Sequence, residues 1–194
     1  MDLAAPIGSP RSTQVAPVDK VEFEQVESEE QKAEAGSLIR EYLACLNDRL
    51  GRDYGMTFDV EAMVQSDLCD PHKFHPPRRR FYLARLNHRT AGVGCLKKLE
   101  EDVGEVQRMY VRPKYRGEGI GRAIAKRLID EARSMGFHRL RLESLEFLDA
   151  AHSLYRSLGF QEIDQYADNS MESYQPAEQL GRYYSITVFM QMDL

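Results

Sequence analysis

Residues Arg116-Gly117-Glu118-Gly119-Ile120-Gly121 place three glycines where an alternating stretch ends and a helical period begins. Glycines let the backbone turn sharply and bring its N–H groups close to a ligand with no Cβ in the way. From Ile120 the apolar residues recur at Ala123, Ile124, Leu128, Ala132 and Met135, which is helical spacing. First-turn N–H groups of such a helix have no internal partner, and its dipole puts about half a positive charge at the same end. The ligand that suits this seat is phosphate.

The surrounding charge agrees. Between positions 108 and 127 stand seven bases (Arg108, Arg112, Lys114, Arg116, Arg122, Lys126, Arg127) and one acid, Glu118, in a chain of formal net charge −5. Such a local excess attracts an anion. Glycine and charge alone leave a second reading open, a simple turn beside a solvated helix face. The run lacks the Lys-Ser/Thr pair of a nucleotide P-loop, and the second strand and acidic residue of a dinucleotide fold do not follow at the required distance.

The elements that must hold this seat follow from periodicity. Val21 to Val26 alternates as a strand, and Ser28 with Gln31 is a capping-box pattern before a helix carrying Ala35, Leu38, Ile39, Tyr42, Leu43 and Leu46 inward. That helix is predicted to close between Asn47 and Gly51, with a loop from Arg52 to Met56 and a second helix from Asp59 to Leu68. Strands are predicted over 81–86, 91–96 and 105–111, with Gly92 and Gly94 thinning one face. The helix from Ile120 ends at Gly136, and a strand over 137–142 makes the crossover parallel and right-handed. Asp149 is expected to cap a short helix, before strands over 160–163 and 185–194. Gln165 to Tyr184 is long for a connection, and reads equally as a functional loop or a surface excursion.

At 194 residues the chain fits one domain, taken as 21–194, behind an Ala/Pro/Ser-rich stretch, 1–20, expected to be a mobile tail. The acidic balance weighs against a nucleic-acid binder. No apolar run reaches membrane-spanning length, and the start lacks a secretory pattern. Cys45, Cys69 and Cys95 are odd in number and form no CxxC pair, so neither a disulfide framework nor a zinc site is expected. His72 and His75 lack a carboxylate or thiolate to complete a metal site. The expected location is cytoplasmic.

Two blocks carry a family resemblance. Arg116, Gly119 and Gly121 fit Gln/Arg-x-x-Gly-x-Gly/Ala, following Met109-Tyr110-Val111-Arg112-Pro113, which reads like Leu-x-Val-x-Pro. Ala151, Tyr155, Gly159 and Phe160 fit Ala-x-x-x-Tyr-x-x-x-Gly-Phe. In this order and separation they resemble the GNAT superfamily of acyl-CoA-dependent N-acyltransferases, over about Val21 to Leu194.

The resemblance implies an α/β fold of the GNAT type, with a mixed, mostly antiparallel seven-stranded sheet, splayed central strands and about four flanking helices. It implies acetyl-CoA as co-substrate. The pantetheine arm would pair with backbone of Met109, Tyr110 and Val111, and the pyrophosphate would sit on Arg116, Gly117, Glu118, Gly119, Ile120, Gly121 and Arg122. Ala151 and Tyr155 would complete the cofactor site. A strand N–H near Met109 is the implied oxyanion donor, and such donors contribute about 3 kcal/mol. The implied acid for the leaving thiolate is Tyr155, with a buried structural aromatic as the plainer reading.

A phenol near pKa 10 protonates a thiolate whose acid is near 8.5 only uphill, by about 2 kcal/mol, so hydrogen bonding as charge develops is its main help. Glu105 is the first candidate base, or else a solvated strand-end charge, and Glu143 is the second. Leu148 stands where many relatives carry a cofactor-contacting Asn.

The expected reaction is direct acetyl transfer to a primary amine, a small molecule rather than a peptide. Alternatives are a protein N-terminal or lysine acetyltransferase, and a non-catalytic acyl-CoA sensor. Residues 48–56 and 165–184 would form the acceptor side, acidic and aromatic, while Arg78 to Arg80 would suit a carboxylate. No nucleic-acid or membrane partner is expected, and oligomeric state is not legible.

Overall fold

The computed structural model describes residues 21–69, 79–167, 171, 174 and 177–194. The expected tail, His72, His75 and Arg78 lie outside them.

Seven strands form one sheet: β1 (Val21–Gln25), β2 (Arg79–Leu86), β3 (Arg89–Lys98), β4 (Val103–Val111), β5 (Arg139–Leu145), β6 (Gln161–Ile163) and β7 (Thr187–Asp193). Their order is β1-β2-β3-β4-β5-β7-β6, and only β4 with β5 is parallel. Five helices are described: α1 (Glu29–Tyr54), α2 (Val60–Cys69), α3 (Ile120–Ser134), α4 (Asp149–Leu158) and α5 (Ala177–Ser185). The fifth, beyond the expected four, lies in the segment read as a connection.

Helix α1 begins as expected. The Ser28 hydroxyl accepts from the Gln31 N–H at 3.1 Å, and the Gln31 side chain accepts from the Ser28 N–H at 3.0 Å. It outruns the predicted stop because its apolar stripe continues through buried Leu46 and Leu50. Arg49 with Asp53 (3.2 Å) and Arg52 with Asp48 (3.5 Å) add support along the exposed side. The stop is Gly55, left-handed at φ +61°, so the predicted loop at 52–56 is largely helix. The cap of α4 also differs, since Asp149 is its first residue and Leu148 takes the capping position with no side-chain bond.

Two cores flank the sheet. One, under α1 and α2, contains Leu38, Ile39, Leu83, Val93, Tyr110 and Leu145. The other, under α3 and α4, contains Leu96, Val106, Ile124, Leu128, Leu142 and Tyr155. Helix α3 lies close on β3 because of its glycines. A Cβ at Gly92 would stand 2.6 Å from the Tyr110 carbonyl oxygen, and one at Gly94 would collide with Ile124.

Two irregularities shape the centre of the sheet. Strands β4 and β5 pair only through Val103, Gly104 and Glu105 against Arg139, Leu140 and Arg141. Beyond Glu105 they part. On its other side β4 pairs Tyr110 with Val93 and Gln107 with Cys95, so Arg108 and Met109 oppose Gly94 alone. This is a β-bulge, and Arg108 takes φ +50° within it.

Candidate active site

The divergence of β4 from β5 opens a cleft of about 850 Å³. Met109, Tyr110, Val111, Arg116, Gly117, Gly119, Ile120, Gly121, Arg122, Ala151 and Tyr155 all line it. Glu118 is exposed and does not line it, and neither does Glu105.

At one end is the start of α3. Gly119 holds the capping position at φ +77° with no side-chain cap, and the first helical bond runs from Ala123 N–H to Gly119 C=O at 3.0 Å. The N–H groups of Ile120, Gly121 and Arg122 therefore precede the helical ladder. A Cβ at Gly117, where φ is +84°, would meet nothing within 4 Å, so that backbone borders open space. Arg116 is exposed and donates to the Val111 carbonyl at 3.2 Å, and Arg122 donates to the Ser157 hydroxyl at 2.6 Å. Bare amides, a helix dipole and two guanidinium groups together fit a diphosphate, and the strand edge from Val106 to Val111 fits an extended polar arm.

Tyr155 enters from the α3 side, sharing a core with Met109 and Val111. Its hydroxyl lies 3.9 Å from the Met109 sulfur, and burial holds its proton more tightly than in a free phenol. A thioether is a weak acceptor, which a better one readily displaces.

Glu143 enters from the other side. It follows Leu142, of the α3 core, and precedes by two residues Leu145, of the α1 core, so strand alternation turns it toward α1. Its Oε2 is buried with no hydrogen-bond partner among the described residues. Burial first, and then the charge of Glu105, push its carboxyl up to about 8, with Arg108 and the Met171 backbone opposing.

Glu105 contrasts with it. It is fully buried, accepts from the Tyr166 hydroxyl at 3.0 Å and from the Gln107 amide, and stands apart from the cleft. The residue first expected to be the base is thus enclosed in the sheet, and the second candidate faces the cavity.

Among the described residues, the segments expected to face the acceptor bring a base to the cleft and no acid. From 48–56 only Arg49 lines the cleft, and the 165–184 segment supplies Met171 and Tyr183. Arg49 bonds Asp53 at 3.2 Å and lies 4.4 Å over the Phe147 ring. Arg79 and Arg80 do not line the cleft, and Arg80 instead pairs with Glu131 of α3 at 3.1 Å.

Arg108 was not singled out in the sequence as an acceptor-side residue. The bulge turns it to the α1 side, where its side chain is 8% exposed and its Nε lies 2.6 Å from Asp67. Only a strand interruption opposite Gly94 could have signalled this. Among the described residues no group of three or more His, Cys, Asp or Glu is placed to hold a metal. No described helix is long and apolar enough to cross a membrane.

Comparison with known proteins gives a consistent picture. Residues 43–160 match the acetyltransferase (GNAT) family. The uncharacterized N-acetyltransferase YjgM of Escherichia coli K12 is 32% identical over 121 residues, 60% of this chain and 72% of the relative. IAA acetyltransferase of Azospirillum brasilense is 34% identical over 125 residues, 64% of this chain and 80% of the relative. A crystal structure of a GNAT family acetyltransferase from Elizabethkingia anophelis with acetyl-CoA bound superposes with a TM-score of 0.60 at 18% identity, over 91% of this chain and 99% of the other.

Proposed function

The chain belongs to the GNAT family of acetyltransferases, and on that footing we propose that it transfers acetyl from acetyl-CoA directly to the primary amine of a small molecule. The observation that carries this reading is that Tyr155 and Glu143 approach from opposite faces of the sheet and both line the cleft where β4 and β5 part. A leaving group on one face and an attacking group on the other are what a direct displacement requires.

In this reading the thioester lies along β4, with its diphosphate on the amides of Gly119 to Arg122. The ammonium group of the acceptor loses a proton to Glu143, directly or through one water. The free amine attacks the thioester carbonyl, forming the C–N bond, and the oxyanion takes a hydrogen bond from backbone N–H at the bulge near Met109. The attached nitrogen then sheds its second proton to solvent, and when the C–S bond breaks the electron pair leaves on sulfur, with the Tyr155 hydroxyl hydrogen-bonding it as charge develops. Solvent then supplies the thiol proton. The products are the N-acetyl amine, CoA thiol and one proton.

The tightly held phenol proton supports hydrogen bonding over full transfer. The cleft volume falls in the range of about 300–1,000 Å³ typical of small-molecule sites. The Azospirillum relative, named for IAA, points toward a small acceptor as well. Leu148 lines the cleft in place of a polar cofactor contact, so backbone amides carry more of that affinity.

The test is a thiol-release screen with acetyl-CoA across amino acids, polyamines, aminoglycosides and basic peptides, repeated with Tyr155→Phe on whichever acceptor works. The variant is expected to bind acetyl-CoA within a few-fold of the parent and to lose about 10²-fold in kcat. Unchanged turnover removes Tyr155 from the chemistry. Acetyl-CoA binding with no thiol release from any amine indicates a non-catalytic acyl-CoA binder.

A further inference from the structure

The acceptor half of the cleft contains an acid and a base whose bonding is incomplete in complementary ways. Glu143 presents a buried carboxylate oxygen with no hydrogen-bond partner among the described residues. Arg108 presents the opposite. Its Nε is taken by Asp67 at 2.6 Å, while Nη1 meets only the Met171 thioether, at 3.7 Å, and the Tyr174 ring stands 5.9 Å away. No oxygen of a described residue accepts from its Nη groups. A guanidinium carries five N–H donors in a planar fork shaped for a carboxylate, and a thioether satisfies them poorly.

The two groups belong to one site. Both line the cleft, and both act electrostatically on Tyr42 from the same side of the sheet. Other cleft charges are committed elsewhere. Arg49 holds Asp53 and the Phe147 carbonyl, Arg116 holds the Val111 carbonyl, and Arg122 holds Ser157. Asp149, the first residue of α4, is exposed to solvent, unlike the buried Glu143 oxygen.

We propose that the acceptor is an amino acid or similar zwitterion, with its ammonium group against Glu143 and its carboxylate against the Nη edge of Arg108. This rests on the transferase reading above and names the substrate class for it. A simple alkylamine answers Glu143 alone and leaves the guanidinium edge facing sulfur. A zwitterion answers both groups and brings no net charge into a poorly solvated pocket. The positive φ at Arg108 fits the same role, because only a bulge turns this side chain out of the β4 ladder and into the acceptor half. Sites that bond a polar substrate group reject analogues lacking it strongly, because the site's own groups are then buried unpaired.

The experiment compares free amino acids with their amides, methyl esters and decarboxylated amines. Thiol release from acetyl-CoA and calorimetric binding to the protein–CoA complex are both measured. Free amino acids are expected to react, with kcat/KM falling by about 10²-fold or more when the carboxylate is neutralised or removed. Folded Arg108→Lys is expected to raise KM for the amino acid at least tenfold with a smaller change in kcat. Amides or simple amines reacting within a few-fold of the matched amino acid overturn the proposal, as does an unchanged KM in folded Arg108→Lys. Amino acids that bind the CoA complex selectively over their amides, with no thiol release, uphold this site and sink the transferase reading alone. Amino acids that neither bind nor react overturn the proposal.

Discussion

Glu105 and Glu143 are the same residue type on neighbouring strands, and their surroundings set them apart. Tyr166 and Gln107 bond Glu105 inside the sheet, while Glu143 keeps a bare oxygen beside the cleft. With its carboxyl near 8, Glu143 is protonated at lower pH and becomes a base as pH rises, so kcat/KM is expected to climb through one ionisation near that value. Glu143→Gln is expected to remove that limb and lower kcat by about 10²–10⁴-fold. Glu105→Gln removes the neighbouring like charge, and is expected to move the limb to lower pH.

Stability follows the same ionisation. Because the folded-state value is raised, the unfolded chain releases this proton first, and stability falls as pH rises from the ordinary carboxylate range to about 8. Urea unfolding at pH 5 and pH 8 is expected to show that decline, smaller in Glu143→Gln. The sequence offered both carboxylates but could not rank them. The decisive partner, Tyr166, is 61 residues from Glu105 in the chain.

At the scale of elements, glycines do two different jobs. Gly117 and Gly119 border the cleft with left-handed backbones, whereas Gly92 sits under α3 where a methyl group would strike a carbonyl oxygen. A bulky residue at Gly119 is expected to abolish acetyl-CoA binding in a protein that still folds. Gly92→Ala is expected to cost about 1–3 kcal/mol of stability, because the obstructing atom is backbone and cannot rotate away. Thermal melts paired with acetyl-CoA calorimetry separate the two. A Gly119 variant that binds normally would remove the phosphate seat from this loop.

The strand, turn and helix around these glycines were legible because periodicity and turn residues agree there. The end of α1 was not, since Gly51 and the charged run around it look like a stop. The true stop needed Gly55, and burial of Leu50 by distant residues. Helix α5 was hidden in the same way, its inward Tyr183 packing on Phe58, far away in the chain.

Across the whole molecule, the order of elements and the parallel β4/β5 neighbourhood followed from local patterns and from the family resemblance. The charge lining the α1 side of the cleft did not. Arg108 reaches it through a bulge whose cause is pairing with β3, and Arg80, the expected cation, is drawn to Glu131 on the opposite face. The short β4/β5 ladder makes the sheet a wall with an opening through it. On the proposed mechanism the thioester reaches that opening from one side and the amine from the other, so that spent CoA would not block the next amine. An abortive assembly of protein, CoA and fresh amine should therefore accumulate, and initial velocity is expected to pass a maximum and decline as amine is raised, more steeply with CoA added. Velocity that instead rises to a plateau under added CoA would mean that both reactants share a single approach.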